Sequence, residues 1–86
     1  MFQYHWLESV LDKLAAIYVA ANLSERDRMT ASVELLNAQL ATNPLELGES
    51  RVGGYRVVFL PLLVVYYHVD EANQRVRVTD VIRYGQ

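Results

Sequence analysis

Cysteine is absent from the sequence, and histidine occurs only as His5 and His68. Without cysteine the chain can form neither a disulfide framework nor a thiolate zinc site. Two histidines are too few for a histidine-rich metal centre, so we expect no metal ion and no other cofactor. The absence of cysteine is also compatible with a reducing cytoplasm.

Long apolar runs are absent as well. The main apolar stretch, residues 59–67, contains Pro61 and is about half as long as a membrane-spanning helix must be. The N-terminus, MFQYHWLESVLDK, lacks the basic start and the long apolar segment of a signal peptide. We therefore expect a cytoplasmic protein that has no membrane partner.

The sequence also lacks a general excess of positive charge, because its formal net charge is −2. Residues 1–50 carry three basic and seven acidic side chains, a net charge of −4, whereas residues 51–86 carry five basic and three acidic ones, a net charge of +2. A protein that binds polyanions over its whole surface is normally basic overall. Any contact with nucleic acid is therefore expected on the C-terminal half.

The hydrophobic content of 52% is high enough for a packed core, and a chain of this length makes one domain, residues 1–86. Apolar residues recur every three or four positions in two segments, 6–21 and 24–42, which predicts two helices. Asn22 is expected to end the first helix, and the Ser24 hydroxyl to accept a hydrogen bond from the first turn of the second. The short link between them predicts an antiparallel helix hairpin.

Strands are expected at residues 55–60, 62–69 and 75–82, after a glycine-rich loop, with a further short strand at 2–5. The order of these elements predicts an α+β fold. In this fold the N-terminal antiparallel helix hairpin packs on one face of a three- to four-stranded antiparallel sheet.

Side chains alternate between the two faces of a strand, which divides the sheet into a buried face and an open one. The residues expected on the buried face are Tyr55, Val57, Phe59, Val76, Val78 and Ile82. The residues expected on the open face are Arg56, Tyr66, His68, Arg75, Arg77 and Thr79. Arg56, Arg75 and Arg77 are thus predicted to share one surface.

Four segments follow the helix hairpin in an order that carries a family resemblance. They are Gly-Glu-Ser-Arg at 48–51, Gly-Tyr-Arg-Val-Val-Phe at 54–59, Pro-Leu-Leu-Val-Val-Tyr-Tyr-His-Val-Asp at 61–70 and Arg-Val-Arg-Val-Thr-Asp-Val-Ile at 75–82. With the helices, they resemble the RelE/ParE family, the toxins of bacterial type II toxin–antitoxin modules. The resemblance spans nearly the whole chain and implies a domain of two helices and an antiparallel sheet.

The resemblance also implies a function and partners. A toxin of this kind inhibits growth and is neutralised by a cognate antitoxin protein. RelE-like members cleave mRNA on the ribosome by attack of a 2′-hydroxyl on the adjacent phosphate, which needs cations and groups that move protons. ParE-like members act on DNA gyrase instead. The implied target is therefore ribosome-bound mRNA, with endoribonuclease activity, or DNA gyrase, and a homodimer is left open.

The resemblance implies catalytic roles for Arg56, Arg83 and Tyr84. Arg56 occupies the basic position of its strand, and Arg83 and Tyr84 follow the last strand, shifted from the family's late arginine and tyrosine. Two further basic positions of RelE-like strands are apolar in this chain, one of them at Val58. The set of residues that cleaves RNA is therefore incomplete.

A non-catalytic reading stands beside the toxin hypothesis. The chain is then a degenerate RelE/ParE-like domain that only binds a protein partner or dimerises. The residues for which we predict contact with nucleic acid are Arg51, Arg56, Arg75 and Arg77. Arginine alternating with valine is also typical of any half-exposed strand, so these side chains suit a solvated face as well.

Overall fold

The computed structural model describes residues 1–85, which form two helices and a five-stranded sheet. In chain order the elements are β1 (Gln3–Trp6), α1 (Glu8–Ala20), α2 (Leu23–Thr42), β2 (Glu49–Ser50), a short 3₁₀ turn (Val52–Gly54), β3 (Tyr55–Leu60), β4 (Leu63–Asp70) and β5 (Arg75–Arg83). The α+β class and the helix hairpin packed on a sheet are confirmed. No helix within residues 1–85 is long and apolar enough to cross a membrane.

The strand order in the sheet is β1-β5-β4-β3-β2. Strands β3, β4 and β5 form an antiparallel meander, and β2 adds to it at one edge. At the other edge β1 pairs with β5 in parallel. The two helices follow β1 and carry the chain across the sheet to β2. The sheet is therefore mixed and has five strands, whereas an antiparallel sheet of three to four strands was expected. The parallel pair was not expected because the sequence carries no local sign that its two ends pair.

The helices cover one face of the sheet, and the core lies between them. Met29, Leu36 and Leu40 of α2 are fully buried, as the apolar spacing predicts. The strand residues of this core are Trp6, Val58, Leu63, Val65, Tyr67, Val69, Val76, Val78 and Val81. The indole N–H of Trp6 donates to Asn37 Oδ1 at 2.8 Å and fixes β1 against α2.

The connection between the helices is closed by a reciprocal pair of hydrogen bonds. The Glu25 backbone N–H donates to Asn22 Oδ1 at 2.8 Å, and the Asn22 backbone N–H donates to Glu25 Oε1 at 3.0 Å. Asn22 is therefore the N-cap of α2, in a capping box. The prediction that Ser24 caps this helix was wrong, because α2 begins one residue before it, at Leu23.

A β-bulge in β5 changes which side chains are buried. The pairing of β4 with β5 shifts between Tyr66 and Tyr67, which leaves Thr79 without a partner. An extra residue of this kind inverts the alternation beyond it. Val81 is therefore buried, and Ile82, which was expected in the core, is 37% exposed on the other face.

Candidate functional site

The sheet face opposite the helices is called the open face below. Its residues are cross-strand neighbours, and they alternate with the residues of the core. They are Gln3, His5, Tyr55, Val57, Phe59, Val64, Tyr66, His68, Asp70, Arg75, Arg77, Asp80 and Ile82. Val57 and Val64 are almost completely buried by their neighbours, yet they do not belong to the core under the helices.

Three basic side chains form a row across adjacent strands of the open face. Arg77 of β5 pairs with His5 of β1 on one side and with His68 of β4 on the other. Adjacent strands lie about 4.8 Å apart, so a group above Arg77 is within reach of both imidazoles. We call these residues the His–Arg–His row. Tyr55 of β3 extends it, since its ring contacts His68 edge-on with centroids 4.7 Å apart.

A groove of about 480 Å³ lies over the His–Arg–His row. Its volume is within the range of ligand sites, roughly 300–1,000 Å³. The groove is lined by Gln3, Tyr4, His5, His68, Asp70, Arg75, Val76 and Arg77. Within residues 1–85, the exposed side chains of Arg75 and Arg77 form neither a hydrogen bond nor a salt bridge. Both guanidinium groups are therefore available to a ligand.

Asp70 supplies the negative charge of the groove, opposite Arg75 in the pairing of β4 with β5. Its carboxylate accepts hydrogen bonds from the Asn73 side-chain amide at 2.8 Å and from the Asn73 backbone N–H at 3.2 Å. These hydrogen bonds lower the pKa of Asp70, and the nearby His68 contributes in the same direction. The groove thus combines two guanidinium groups with one ionised carboxylate, which leaves it positive.

Arg56 lies on the helix side of β3 and not on the open face, where it was expected. Its Nε donates to the Leu47 carbonyl at 3.0 Å, and its Nη2 donates to the Gly48 carbonyl at 3.3 Å. Its cross-strand partner Tyr67 is fully buried, with the hydroxyl 2.8 Å from the Pro44 carbonyl oxygen and 2.7 Å from that of Leu47. Burial raises the pKa of Tyr67, and Arg56 opposes that effect. Arg56 and Tyr67 therefore hold the loop after α2 against the sheet.

The expected facing of β3 was inverted along the whole strand. Tyr55 and Phe59, expected in the core, lie on the open face and are 43% and 52% exposed. Val58 and Leu60 pack on the helix side instead. Because both sides of this strand carry apolar side chains, its alternation does not indicate which side is buried.

Arg83 and Tyr84 lie on opposite sides of the sheet. On the helix side, Arg83 Nη2 donates to Glu25 Oε2 at 2.8 Å, and Nη1 donates to the carbonyls of Tyr84 and Gly85 at 3.0 and 3.1 Å. On the open face, the Tyr84 ring packs edge-on against Phe59 with centroids 5.4 Å apart. Arg83 therefore ties the end of β5 to the first turn of α2. The three residues predicted to be catalytic are not gathered at one centre.

The open face also carries an aromatic patch, formed by Tyr55, Phe59, Tyr66, Ile82 and Tyr84, each between 37% and 52% exposed. Arg51 lies at its rim, where its backbone N–H donates to the Tyr55 carbonyl at 2.7 Å. The Arg51 guanidinium forms an ion pair with Glu49 at 3.3 Å. The patch therefore offers apolar and aromatic contacts next to the positive groove.

Part of this site could be predicted from the sequence. Arg75, Arg77, Tyr66 and His68 lie together on the open face, as expected, whereas Arg56 does not. His5 was not predicted: the alternation of polar and aromatic residues near the N-terminus indicates a strand, but not that this strand pairs with β5. Residues 1–85 contain no group of three or more histidine or carboxylate side chains that could hold a metal ion.

The architecture is similar to that of a solved toxin structure. A scan of protein-family models and a search of curated proteins give no match to this chain. The crystal structure of the isolated E. coli RelE toxin, in its P21 form, is similar with a TM-score of 0.65. The similarity covers 100% of this chain and 87% of that chain at 13% sequence identity. At this identity the similarity establishes a RelE-like fold and nothing finer.

Proposed function

We propose that this chain is the toxin of a bacterial type II toxin–antitoxin module, which acts in the cytoplasm and is neutralised by a cognate antitoxin. The observation that carries the proposal is the RelE-like fold over the full chain. The sequence motifs that resemble the RelE/ParE family point the same way. Since one fold can host several functions, the residues of the open face are needed to argue the chemistry.

Messenger RNA is the target that the open face supports best. Arginine side chains bind phosphate oxygens, and exposed aromatic rings stack on bases. The open face presents Arg75 and Arg77 without protein partners, beside Tyr55 and Tyr66, which are 43% and 37% exposed. Arg51 at the rim is a further proposed contact. DNA gyrase, a protein target, is the alternative.

Catalysis by Arg56, Arg83 and Tyr84 stays a prediction. To reach a phosphate on the open face, Arg56 would have to leave the carbonyls of the loop after α2, and Arg83 would have to leave Glu25. Tyr84 lies on the open face but packs against Phe59. We therefore expect substitution of Arg56 or Arg83 to lower the stability of the folded protein, and to change its activity only as a consequence.

A non-catalytic interaction domain is the second candidate, and two observations favour it. The two arginines predicted to cleave RNA bind the protein's own chain. The exposed aromatic patch is also typical of a surface that binds a protein, since aromatic residues are enriched in such interfaces. A domain of this kind would bind its partner without inhibiting growth.

Induced expression in a bacterial host separates the two candidates. The chain is expressed alone and together with the small reading frame next to its own gene. We expect growth to stop when the chain is expressed alone and to continue when the neighbour is present. Normal growth with folded chain in the cells would contradict the toxin proposal and support the interaction domain.

The target is then identified in the arrested cells and with purified protein. We expect new 5′ ends within messenger RNAs, mapped by transcript-end sequencing, and unchanged supercoiling by purified gyrase in the presence of the chain. Intact messenger RNAs together with inhibited supercoiling would identify DNA gyrase as the target instead.

A further inference from the structure

We propose that the His–Arg–His row is a pH-dependent binding site for the phosphates of a single-stranded nucleic acid. The site takes one phosphate above Arg77, between His5 and His68. It lies at the β1 end of the open face, away from Arg83 and Tyr84 at the end of β5. The inference rests on the proposed function for the choice of nucleic acid as the ligand, and its test is separate from growth arrest.

Strand pairing fixes the geometry of the row. His5, Arg77 and His68 are direct neighbours on three adjacent strands, and cross-strand side chains on one face stand about 4.5–5.5 Å apart. A phosphate whose oxygens accept hydrogen bonds from the Arg77 guanidinium is therefore flanked by an imidazole on each side. The parallel pairing of β1 with β5 brings His5 to this position.

The surroundings of the row favour an anionic ligand. Arg75 adds a second guanidinium to the groove, and Asp70 contributes one carboxylate, which the Asn73 side chain holds. Neither arginine has a protein partner within the part of the chain that the structure describes, so binding a phosphate breaks no ion pair there. The groove is thus a local positive site on a protein of net charge −2.

The neighbouring aromatic ring favours nucleic acid over a free phosphate. Tyr55 contacts His68 edge-on at 4.7 Å, and it is 43% exposed. Stacking of a base on an exposed aromatic ring contributes to binding of single strands in a sequence-tolerant way. A nucleotide whose phosphate lies over Arg77 has this ring available for its base or for the next one.

The two imidazoles make the binding depend on pH. Histidine side chains ordinarily change charge between about pH 5 and pH 8, and a bound phosphate favours the charged form. The charged and titratable groups around them are Tyr4 of β1, Arg75 and Arg77 of β5, Asp70 of β4 and Tyr55 of β3. The lowered pKa of Asp70 keeps its carboxylate ionised over this interval, so an increase in affinity as the pH falls is assigned to the histidines.

The test is a titration of the purified full chain with a short, labelled single-stranded RNA, followed by fluorescence anisotropy. We expect Arg77→Ala to weaken binding roughly tenfold or more, because a charged hydrogen-bond donor to phosphate is lost. The slope of log affinity against log salt should fall by about 0.7, the value for one phosphate contact on a single strand. Arg28→Ala, on the exposed surface of α2, is the matched control and should bind as the wild type does.

The pH dependence is tested in the same titration with the double variant His5→Gln/His68→Gln. We expect the affinity of the wild type to rise between about pH 8 and pH 5.5, and that of the double variant to stay nearly constant. Both histidines lie on the open face outside the core, so the variant should unfold close to the wild-type temperature, lowered only by the loss of the edge-on contact between His68 and Tyr55. Unchanged binding by Arg77→Ala, or full pH dependence in the double variant, would overturn the proposal.

Two further ligands identify what the groove binds. Single-stranded DNA of the same sequence has the same phosphates, so a comparison with the RNA shows whether the 2′-hydroxyl contributes to binding. Weaker binding of the RNA or of the DNA by Arg77→Ala supports the site. If a glutamate-rich peptide binds through Arg77 and RNA does not, the groove is a protein-docking surface and the proposal fails. If binding depends on Arg77 but the wild type never arrests growth, the site stands and the proposed function fails.

Discussion

At the scale of single residues, the arginines differ in what they bind. Arg56 donates to the carbonyl oxygen of Leu47 at 3.0 Å, and Arg83 donates to the carboxylate of Glu25 at 2.8 Å. Arg75 and Arg77 are exposed and bind no other group within residues 1–85. The first pair therefore contributes to stability, and the second pair is available for function.

Replacing Arg56 tests its structural role. We expect Arg56→Ala to lower the free energy of unfolding by about 1–3 kcal/mol, because the carbonyls of Leu47 and Gly48 lose a charged donor. Urea unfolding measures the loss. Arg75→Ala is the matched control, and as an exposed substitution it should stay within about 0.5 kcal/mol of the wild type. Equal stability of the two variants would contradict this assignment.

A salt bridge between Lys13 and Asp80 makes stability depend on pH. The Lys13 ammonium, 2.8 Å from Asp80 Oδ1, lowers the pKa of Asp80 through its hydrogen bond. A carboxyl group whose pKa is lower in the folded state stabilises the fold above its unfolded pKa, and this contribution disappears as the pH falls through the folded value. Both side chains are 47% exposed, so the contribution is below about 1 kcal/mol.

We therefore expect Lys13→Ala to be slightly less stable than the wild type at neutral pH. The difference should vanish in acid, once Asp80 is protonated in the folded protein, because the salt bridge is then absent from both proteins. Urea unfolding across this pH range provides the measurement. A difference that persists unchanged in acid would show that Lys13 stabilises the protein by packing and not by charge.

At the scale of helices and strands, local patterns could be predicted and long-range pairings could not. The spacing of Met29, Leu36 and Leu40 predicted α2 and its buried side correctly. The facing of β3 was not predicted, because a strand with apolar side chains on both sides does not indicate which side is buried. The bulge at Thr79 was not predicted either, because it leaves no mark in the alternation of the sequence. The pairing of β1 with β5 depends on how the helices cross the sheet, which residue spacing does not specify.

The cap of α2 provides a test at this scale. We expect Asn22→Ala to lower the free energy of unfolding by about 1 kcal/mol, because the backbone N–H of Glu25 loses its acceptor. Ser24→Ala, the position that the sequence favoured, should have almost no effect, since the cap lies at Asn22. Thermal or urea unfolding compares the two variants. A larger loss for Ser24→Ala would show that the helix begins later than the structure indicates.

At the scale of the whole molecule, charge is divided along the chain, and two of the five C-terminal arginines, Arg56 and Arg83, lie on the helix side of the sheet. Residues 1–50, which include both helices, carry the net negative charge, and residues 51–86 are net positive. The helices lie on one face, and the positive groove and the aromatic patch lie on the other. The groove, with Arg75 and Arg77 against Asp70, gives an acidic protein a local positive site within its C-terminal half, where the charge asymmetry of the sequence suggested one. The residues on that face had to come from the structure.

The central claim is that the open face, through Arg75 and Arg77, carries the toxic activity. The most direct measurement is the growth of cells after induction of the double variant Arg75→Ala/Arg77→Ala, compared at equal amounts of folded protein with the wild type and with Arg28→Ala. We predict that growth stops for the wild type and for Arg28→Ala and continues for the double variant. Arrest by the double variant as complete as that by the wild type would contradict the account.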